Sequence, residues 1–228
     1  MNSFFKELQI PAGIISIIGS GGKTTFMRTM ADMLPGNVLL TTTTHIFPFS
    51  DIQTIYTQND TAVSEICDQV RHLFSHHKTI CVGTPEPSGK LTLPTVDLSL
   101  LLPLADYILV EADGSKCLPL KAHRPTEPVV HPLSAYTICI VGASGIDHPI
   151  QEVCHCPEIF CQLTGSSMTD LATPERIAQM LNTESLADCY FINQADALSD
   201  CTKIRTISQF LKKPAVTGSL QKRVFTIF

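Results

Sequence analysis

Gly19-Ser20-Gly21-Gly22-Lys23-Thr24-Thr25 is the stretch on which the fold of this chain turns. An apolar run, Gly13-Ile14-Ile15-Ser16-Ile17-Ile18, leads into it. Phe26-Met27-Arg28-Thr29-Met30-Ala31-Asp32-Met33-Leu34 leads out with the spacing of a helix. Strand, glycine turn, Lys-Thr and helix together make a phosphate cradle. The glycines allow backbone N–H groups to turn inward on an anion, and the helix N-terminus adds partial positive charge. Lys23 would neutralise the outer phosphates, while the Thr24 hydroxyl can reach Mg²⁺. The expected nucleotide-binding set is therefore Gly19, Ser20, Gly21, Gly22, Lys23, Thr24 and Thr25.

Outward from this loop, strand and helix signals alternate. Asn37 to Thr42 reads as a strand after the Pro35-Gly36 stop, and Ala62 to Phe74 has Val63, Ile66, Val70 and Leu73 at helical spacing. Thr79 to Gly83 is a short strand followed by a Pro/Gly loop. Val96 to Leu104 reads as a helix and Tyr107 to Val110 as a fully buried strand. Residues 114–132 hold four prolines and read as a long ordered loop, of the kind that carries function in a compact domain. Thr137 to Val141, Cys189 to Ile192 and Ala215 to Thr217 are further strands, and Thr173-Pro174-Glu175 caps a helix running to about Leu181. Strands separated by helices imply a parallel sheet covered on both faces. The expectation is an α/β, doubly wound, mainly parallel sheet of P-loop NTPase type, forming a single domain over residues 1–228.

Composition narrows the functions. A chain of 228 residues can bury one good α/β core. Its net charge of −5, with no basic cluster, speaks against a nucleic-acid surface. No apolar stretch approaches a membrane span. Lys6, Glu7 and Pro11 ahead of the first apolar run do not fit a secretory leader. Nine cysteines, an odd number, read as reduced thiols of a cytoplasmic protein.

The second strong signal is Tyr107-Ile108-Leu109-Val110-Glu111-Ala112-Asp113-Gly114. Acids at the carboxyl end of a buried strand lie where open α/β sheets bind ligands. One would hold Mg²⁺ and the other would orient water or a substrate hydroxyl. Glu111 is the first choice for the acid and Asp113 the second, with Lys23 as the catalytic cation. Thr41-Thr42-Thr43-Thr44-His45 ends the second strand, and Thr43 there joins Thr24 and Glu111 as a candidate Mg²⁺ ligand; threonine also simply suits a strand.

Asn193-Gln194-Ala195-Asp196 follows a buried run at the spacing of the Asn-Lys-x-Asp motif with which GTPases read guanine. Gln194 replaces the Lys that would pack across the base. Asn193 and Asp196 favour GTP. The loop favours ATP, because Ile17 stands where the common eight-residue cradle has Gly and the shorter form is closer to the loops of Mur-type ligases. ATP and GTP both stay open, with a lean to GTP. Cys154-His155-Cys156 with Cys161, and His148 nearby, offers soft metal ligands at a spacing that is not a standard zinc arrangement. Small buried hydrophobes account for most of these cysteines.

The loop Ile18 to Thr25, the run Thr41 to His45, Val110-Glu111-Ala112-Asp113-Gly114-Ser115-Lys116, Leu118-Pro119-Leu120-Lys121-Ala122 and Glu127-Pro128-Val129-Val130 together resemble the YqeC family, over essentially the whole chain. The resemblance implies a cytosolic, Mg²⁺-dependent nucleotide-binding protein or slow NTPase. It would assist maturation of, or cofactor insertion into, a selenium-dependent molybdenum hydroxylase. The implied partners are that hydroxylase or its cofactor-maturation proteins, and molybdopterin is a further candidate ligand that Lys116 and Lys121 would face. Cys117 between those cations is a candidate reactive thiol. A small-molecule kinase, an ATP-dependent ligase-like enzyme and a non-hydrolysing nucleotide-gated metallochaperone are the competing readings.

Overall fold

The computed structural model describes residues 10–198 and 202–227; Lys6 and Glu7, on which the leader expectation rests, lie outside them. The strands are β1 (Gly13–Gly19), β2 (Val38–Thr42), β3 (Gln53–Tyr56), β4 (Thr79–Pro85), β5 (Leu91–Thr92), β6 (Tyr107–Glu111), β7 (Leu120–Lys121), β8 (Ser134–Gly142), β9 (Cys154–His155), β10 (Cys189–Asn193), β11 (Ala215–Ser219) and β12 (Val224–Ile227). The helices are α1 (Lys23–Met33), α2 (Val63–Phe74), α3 (Leu98–Leu101), α4 (Ile150–Val153), α5 (Pro157–Thr164), α6 (Pro174–Glu184) and α7 (Thr202–Phe210).

The sheet runs β12-β11-β10-β8-β1-β6-β2-β4-β3, with β5 paired to β4. Every pairing along that path is parallel except β11 with β12. The apolar runs are continuous because the central strands are buried on both faces. Ile15 and Ile17 of β1 pack with Phe26, Met27 and Met30 of α1. From the opposite face, Ile14 joins Ile66 and Val70 of α2, and Ile18 joins Ile177 of α6 and Ile204 of α7. The fold is thus α/β, with a mainly parallel central sheet and helices on both faces.

Departures from the expected elements have local causes. The helix expected over Val96 to Leu104 is a single α turn, capped by Asp97 accepting from Ser99 N at 2.8 Å, and then a 3₁₀ turn Leu102–Leu104. Pro103 lacks the N–H an α-helix would need there. β3 was not expected, because only Ile55 of its four residues is buried. β7 interrupts the proline-rich loop and pairs in parallel with β9. Gly142 N donates to Pro119 O at 2.9 Å and Val129 N to Ala112 O at 2.8 Å, tying that loop to the ends of β8 and β6. Among the described residues, no helix is long and apolar enough to cross a membrane.

Candidate functional site

The carboxyl ends of β1, β6, β8, β10 and β11 converge on the glycine loop. Gly21 and Gly22 have φ of 92° and 120°, conformations that L side chains resist. Space excludes a side chain as well. A β-carbon on Gly21 would lie 2.5 Å from Gly142 Cα, and one on Gly22 would lie 2.7 Å from Asn193 Nδ2. The first hydrogen bond of α1 runs from Phe26 N to Gly22 O, which leaves the N–H groups of Gly21, Gly22, Lys23, Thr24 and Thr25 without a backbone partner among the described residues. Adjacent free amides at a helix N-terminus form an anion-binding cradle.

Lys23 lies across this cradle and is buried. Its Nζ donates to Gly19 O at 2.8 Å and sits 3.0 Å from Asp113 Oδ1 and 3.9 Å from Glu111 Oε1. The two acids expected from the sequence occupy different environments. Glu111 Oε2 accepts from Thr24 Oγ1 at 3.1 Å, at the edge of a cleft of about 660 Å³. Burial pushes the Glu111 carboxyl above the usual range, against the pull of Lys23 and Thr24, and the Asp113 charge adds to the rise. Asp113 is fully buried. Its Oδ2 accepts from Gly19 N at 2.8 Å and lies 2.8 Å from His123 Nε2 and 3.5 Å from Lys121 Nζ. Burial opposes ionisation there too, but His123, Lys23 and Lys121 outweigh it and hold the carboxyl below its ordinary value. Glu111 faces the cleft, whereas Asp113 braces the loop from behind.

Thr43 lies on the cleft wall with its hydroxyl bonded to Val129 O at 2.6 Å, so it faces the proline-rich loop rather than Glu111. Thr42 ties β2 to β6 through Glu111 O at 2.8 Å. His45 pairs with Glu86 at 3.2 Å, in the exposed part of the same cleft. On the other side of the loop, Asn193 Nδ2 donates to Gly21 O at 2.7 Å and its Oδ1 accepts from Leu220 N at 3.1 Å. Asn193 therefore ties the glycine loop to the turn after β11. Asp196 borders a separate cavity of about 250 Å³ with Thr217, Gly218 and Ser219. A hydrogen bond from Ser219 holds its carboxyl below the usual range, with Lys222 3.6 Å away. Gln194 accepts from Ser144 Oγ at 2.7 Å and lies over the Gly142 backbone.

His123 and Glu184 were not picked out from the sequence. His123 bridges Asp113 and the end of α6, with Nδ1 2.9 Å from Glu184 Oε2 and its backbone N donating to Glu184 Oε1 at 2.6 Å. A His directly after the Leu-Pro-Leu-Lys-Ala segment was the available signal; Glu184 carries none, because only the packing of α6 brings it there. Burial alone would lower the His123 pKa, but hydrogen bonds to Asp113 and Glu184 raise it above 6.5. Raising a folded-state pKa stabilises the protein fully below the unfolded value of 6.5, and this is lost as pH rises through the higher folded value. Asp113, with its lowered pKa, stays ionised across that window. His123→Gln should therefore destabilise by about 1.5–3 kcal/mol near pH 6, the range for a charge-assisted hydrogen bond, and by less near pH 9. Equal losses at both pH values, in denaturant unfolding, would show that His123 is not charged in the fold.

The cysteines divide. Cys154 points into the core and Cys161 lies 3.8 Å from Met168 Sδ, so neither joins Cys156 in the cluster suggested by their spacing. Cys117 is exposed on the cleft wall.

Three comparisons bear on this arrangement. HypB from Helicobacter pylori, solved in complex with nickel, superposes with a TM-score of 0.42 at 14% identity, over 95% of this chain and 82% of that one. An uncharacterized protein YqeC of Escherichia coli (strain K12) is 28% identical over 183 residues. That match takes in 76% of this chain and 66% of the relative's length. The model of the YqeC protein family matches residues 15–158, which include the glycine loop, Glu111, Asp113 and His123 but not Asn193 or Asp196. With that match covering more than half its length, the chain belongs to the YqeC family.

Proposed function

We propose that this protein binds a nucleoside triphosphate on its glycine loop and hydrolyses it slowly with Mg²⁺. The observation that carries the reading is the run of unpartnered amides from Gly21 to Thr25, lying beside Lys23 and opposite Glu111. Every helix leaves its first N–H groups unpaired; here no side chain caps them, and the buried Lys23 ammonium beside them makes the helix start a place for an anion. The donor set also suits the metal. Thr24 Oγ1 and Glu111 are oxygen ligands already in contact, as Mg²⁺ prefers, and they would hold it beside the phosphates to neutralise charge there. Lys23 would then exchange Asp113 for a phosphate, and Glu111 would orient the attacking water.

On this reading turnover serves a second molecule in the Glu111 cleft, bordered by Lys90 and Lys116. The process we assign to it is maturation of a selenium-dependent molybdenum hydroxylase, as the sequence resemblance implies, and the cleft lysines suit an anionic ligand such as molybdopterin. Phosphate release with ATP and with GTP, in the presence and absence of molybdopterin, tests the whole reading. No release and no binding of either nucleotide would end it.

The base is assigned to the cavity beside Asp196. A carboxylate there would accept from the ring N–H and exocyclic amine of guanine, whereas adenine presents an acceptor at its ring nitrogen. GTP should bind more tightly than ATP, by less than in dedicated GTPases, because Gln194 is tied to Ser144 in place of a stacking Lys. Asp196→Ala should bring the two affinities together. Isothermal titration that gives the same GTP-to-ATP ratio before and after the change would mark the segment as a mere turn.

A further inference from the structure

Glu127 comes from one part of the chain and the consecutive pair His155 and Cys156 from another, and together they place a carboxylate oxygen, an imidazole nitrogen and a sulfur within 4.8 Å of one another. The β7–β9 pairing does this. Leu120 pairs with Cys154 and Lys121 with His155, and Ala122 N donates to His155 O at 3.0 Å. Cys154 is thereby buried in the core while His155 turns to the cleft. Cys156 follows in a left-handed conformation, φ 62°, and opens α5. Glu127 arrives from the proline-rich loop, where its N–H donates to Arg124 O at 2.9 Å.

Two features make this cluster a ligand set rather than a packing accident. It mixes nitrogen, sulfur and oxygen donors, the combination that borderline divalent ions such as zinc take. Glu127 is also incompletely neutralised. Its Oε2 lies 3.2 Å from Lys121 Nζ, but that ammonium is shared with Asp113 at 3.5 Å, and the same Oε2 is buried with no hydrogen-bond partner among the described residues. Glu127 and His155 line the same cleft as Thr24 and Glu111, so a fourth coordination position would open towards the proposed phosphate site.

We propose that Glu127, His155 and Cys156 form a binding site for a zinc-like divalent transition ion, with one coordination position open to the Glu111 cleft. Three protein ligands with an open position are the pattern of catalytic or exchangeable sites rather than closed structural ones. This site is separate from the Mg²⁺ position at Thr24 and Glu111 and does not depend on nucleotide.

The test is a Co²⁺ titration of the reduced full-length chain, free of nucleotide and of any affinity tag. One equivalent should bind with a thiolate-to-cobalt charge-transfer band, displaced by Zn²⁺ and not by excess Mg²⁺. Cys156→Ser should abolish the band, and His155→Gln and Glu127→Gln should each weaken affinity roughly tenfold or more, at least the loss seen for ligand-supporting groups. Cys117→Ser, which removes the exposed thiol of the same cleft, should keep the band. Circular dichroism of each variant verifies its fold, and the two cleft-lining variants serve if Cys156→Ser does not fold. Absence of stoichiometric Co²⁺ binding, or a band that survives Cys156→Ser and disappears in Cys117→Ser, would overturn the site. Neither result would touch the nucleotide reading, which is measured without transition metal.

Discussion

Glu111→Gln should leave nucleotide binding near wild type and reduce hydrolysis about 10²-fold or more, within the range of general acid–base contributions. The amide keeps the size and can still meet Thr24, but it has no charge for a metal and cannot take a proton from water. The neighbouring acid gives the contrast that isolates this effect. Glu111 is pushed above its usual pKa of 4.5, chiefly by burial. Its ionised form therefore burdens the fold above that raised pKa, and the burden vanishes below 4.5. Removing the charge should leave the thermal midpoint at neutral pH unchanged or raised. Asp113 has the opposite sign, so Asp113→Asn should lower the midpoint as His123, Lys23 and Lys121 lose their counter-charge. Loss of turnover without loss of stability assigns Glu111 to chemistry. Phosphate release at the wild-type rate from Glu111→Gln would remove it from the mechanism.

The architecture was readable because its central strands are buried on both faces, which writes nearly continuous apolar runs into the chain, such as Ile14 to Ile18, broken only by Ser16, and Tyr107 to Val110. Edges are harder. Gln53–Tyr56 has one partner strand, buries only Ile55, and leaves no such run. The loop itself was legible for a local reason, since Gly-x-Gly-Gly-Lys-Thr specifies backbone conformation and charge within seven residues. The division of labour between Glu111 and Asp113 was not legible. Both stand at the end of one strand, and what separates them is Lys121 and His123, which reach Asp113 from 8 and 10 positions further along the chain, with Glu184 holding His123 from α6. The same holds for Glu127 beside His155 and Cys156. Their contact depends on a two-residue strand pairing, β7 with β9, too short to leave a hydrophobic period.

Lys23→Ala should weaken triphosphate binding at least tenfold in a protein that still folds. A charge-assisted contact to phosphate is worth about 1.5–3 kcal/mol, and each 1.4 kcal/mol is about tenfold in affinity. The structure adds an opposing effect, because Lys23 is not idle without nucleotide. It lies 3.0 Å from Asp113 and donates to Gly19 O, so binding exchanges one set of partners for another. Part of the phosphate contact is thus offset by the lost ion pair, which places the expected effect nearer the lower end of that range. The same exchange sets a second observable. With Lys23 gone, Asp113 keeps Lys121 and His123, so the variant should be less stable without being unfolded. Lys23→Arg separates the two roles: its charge can still pair with Asp113, but the larger guanidinium does not fit the space that the buried ammonium fills against Gly19 O. Stability should then recover more than affinity does. Calorimetric titration showing unchanged ATP and GTP affinity in folded Lys23→Ala would detach the phosphate site from this loop, and with it the argument for Thr24 and Glu111 as its metal ligands.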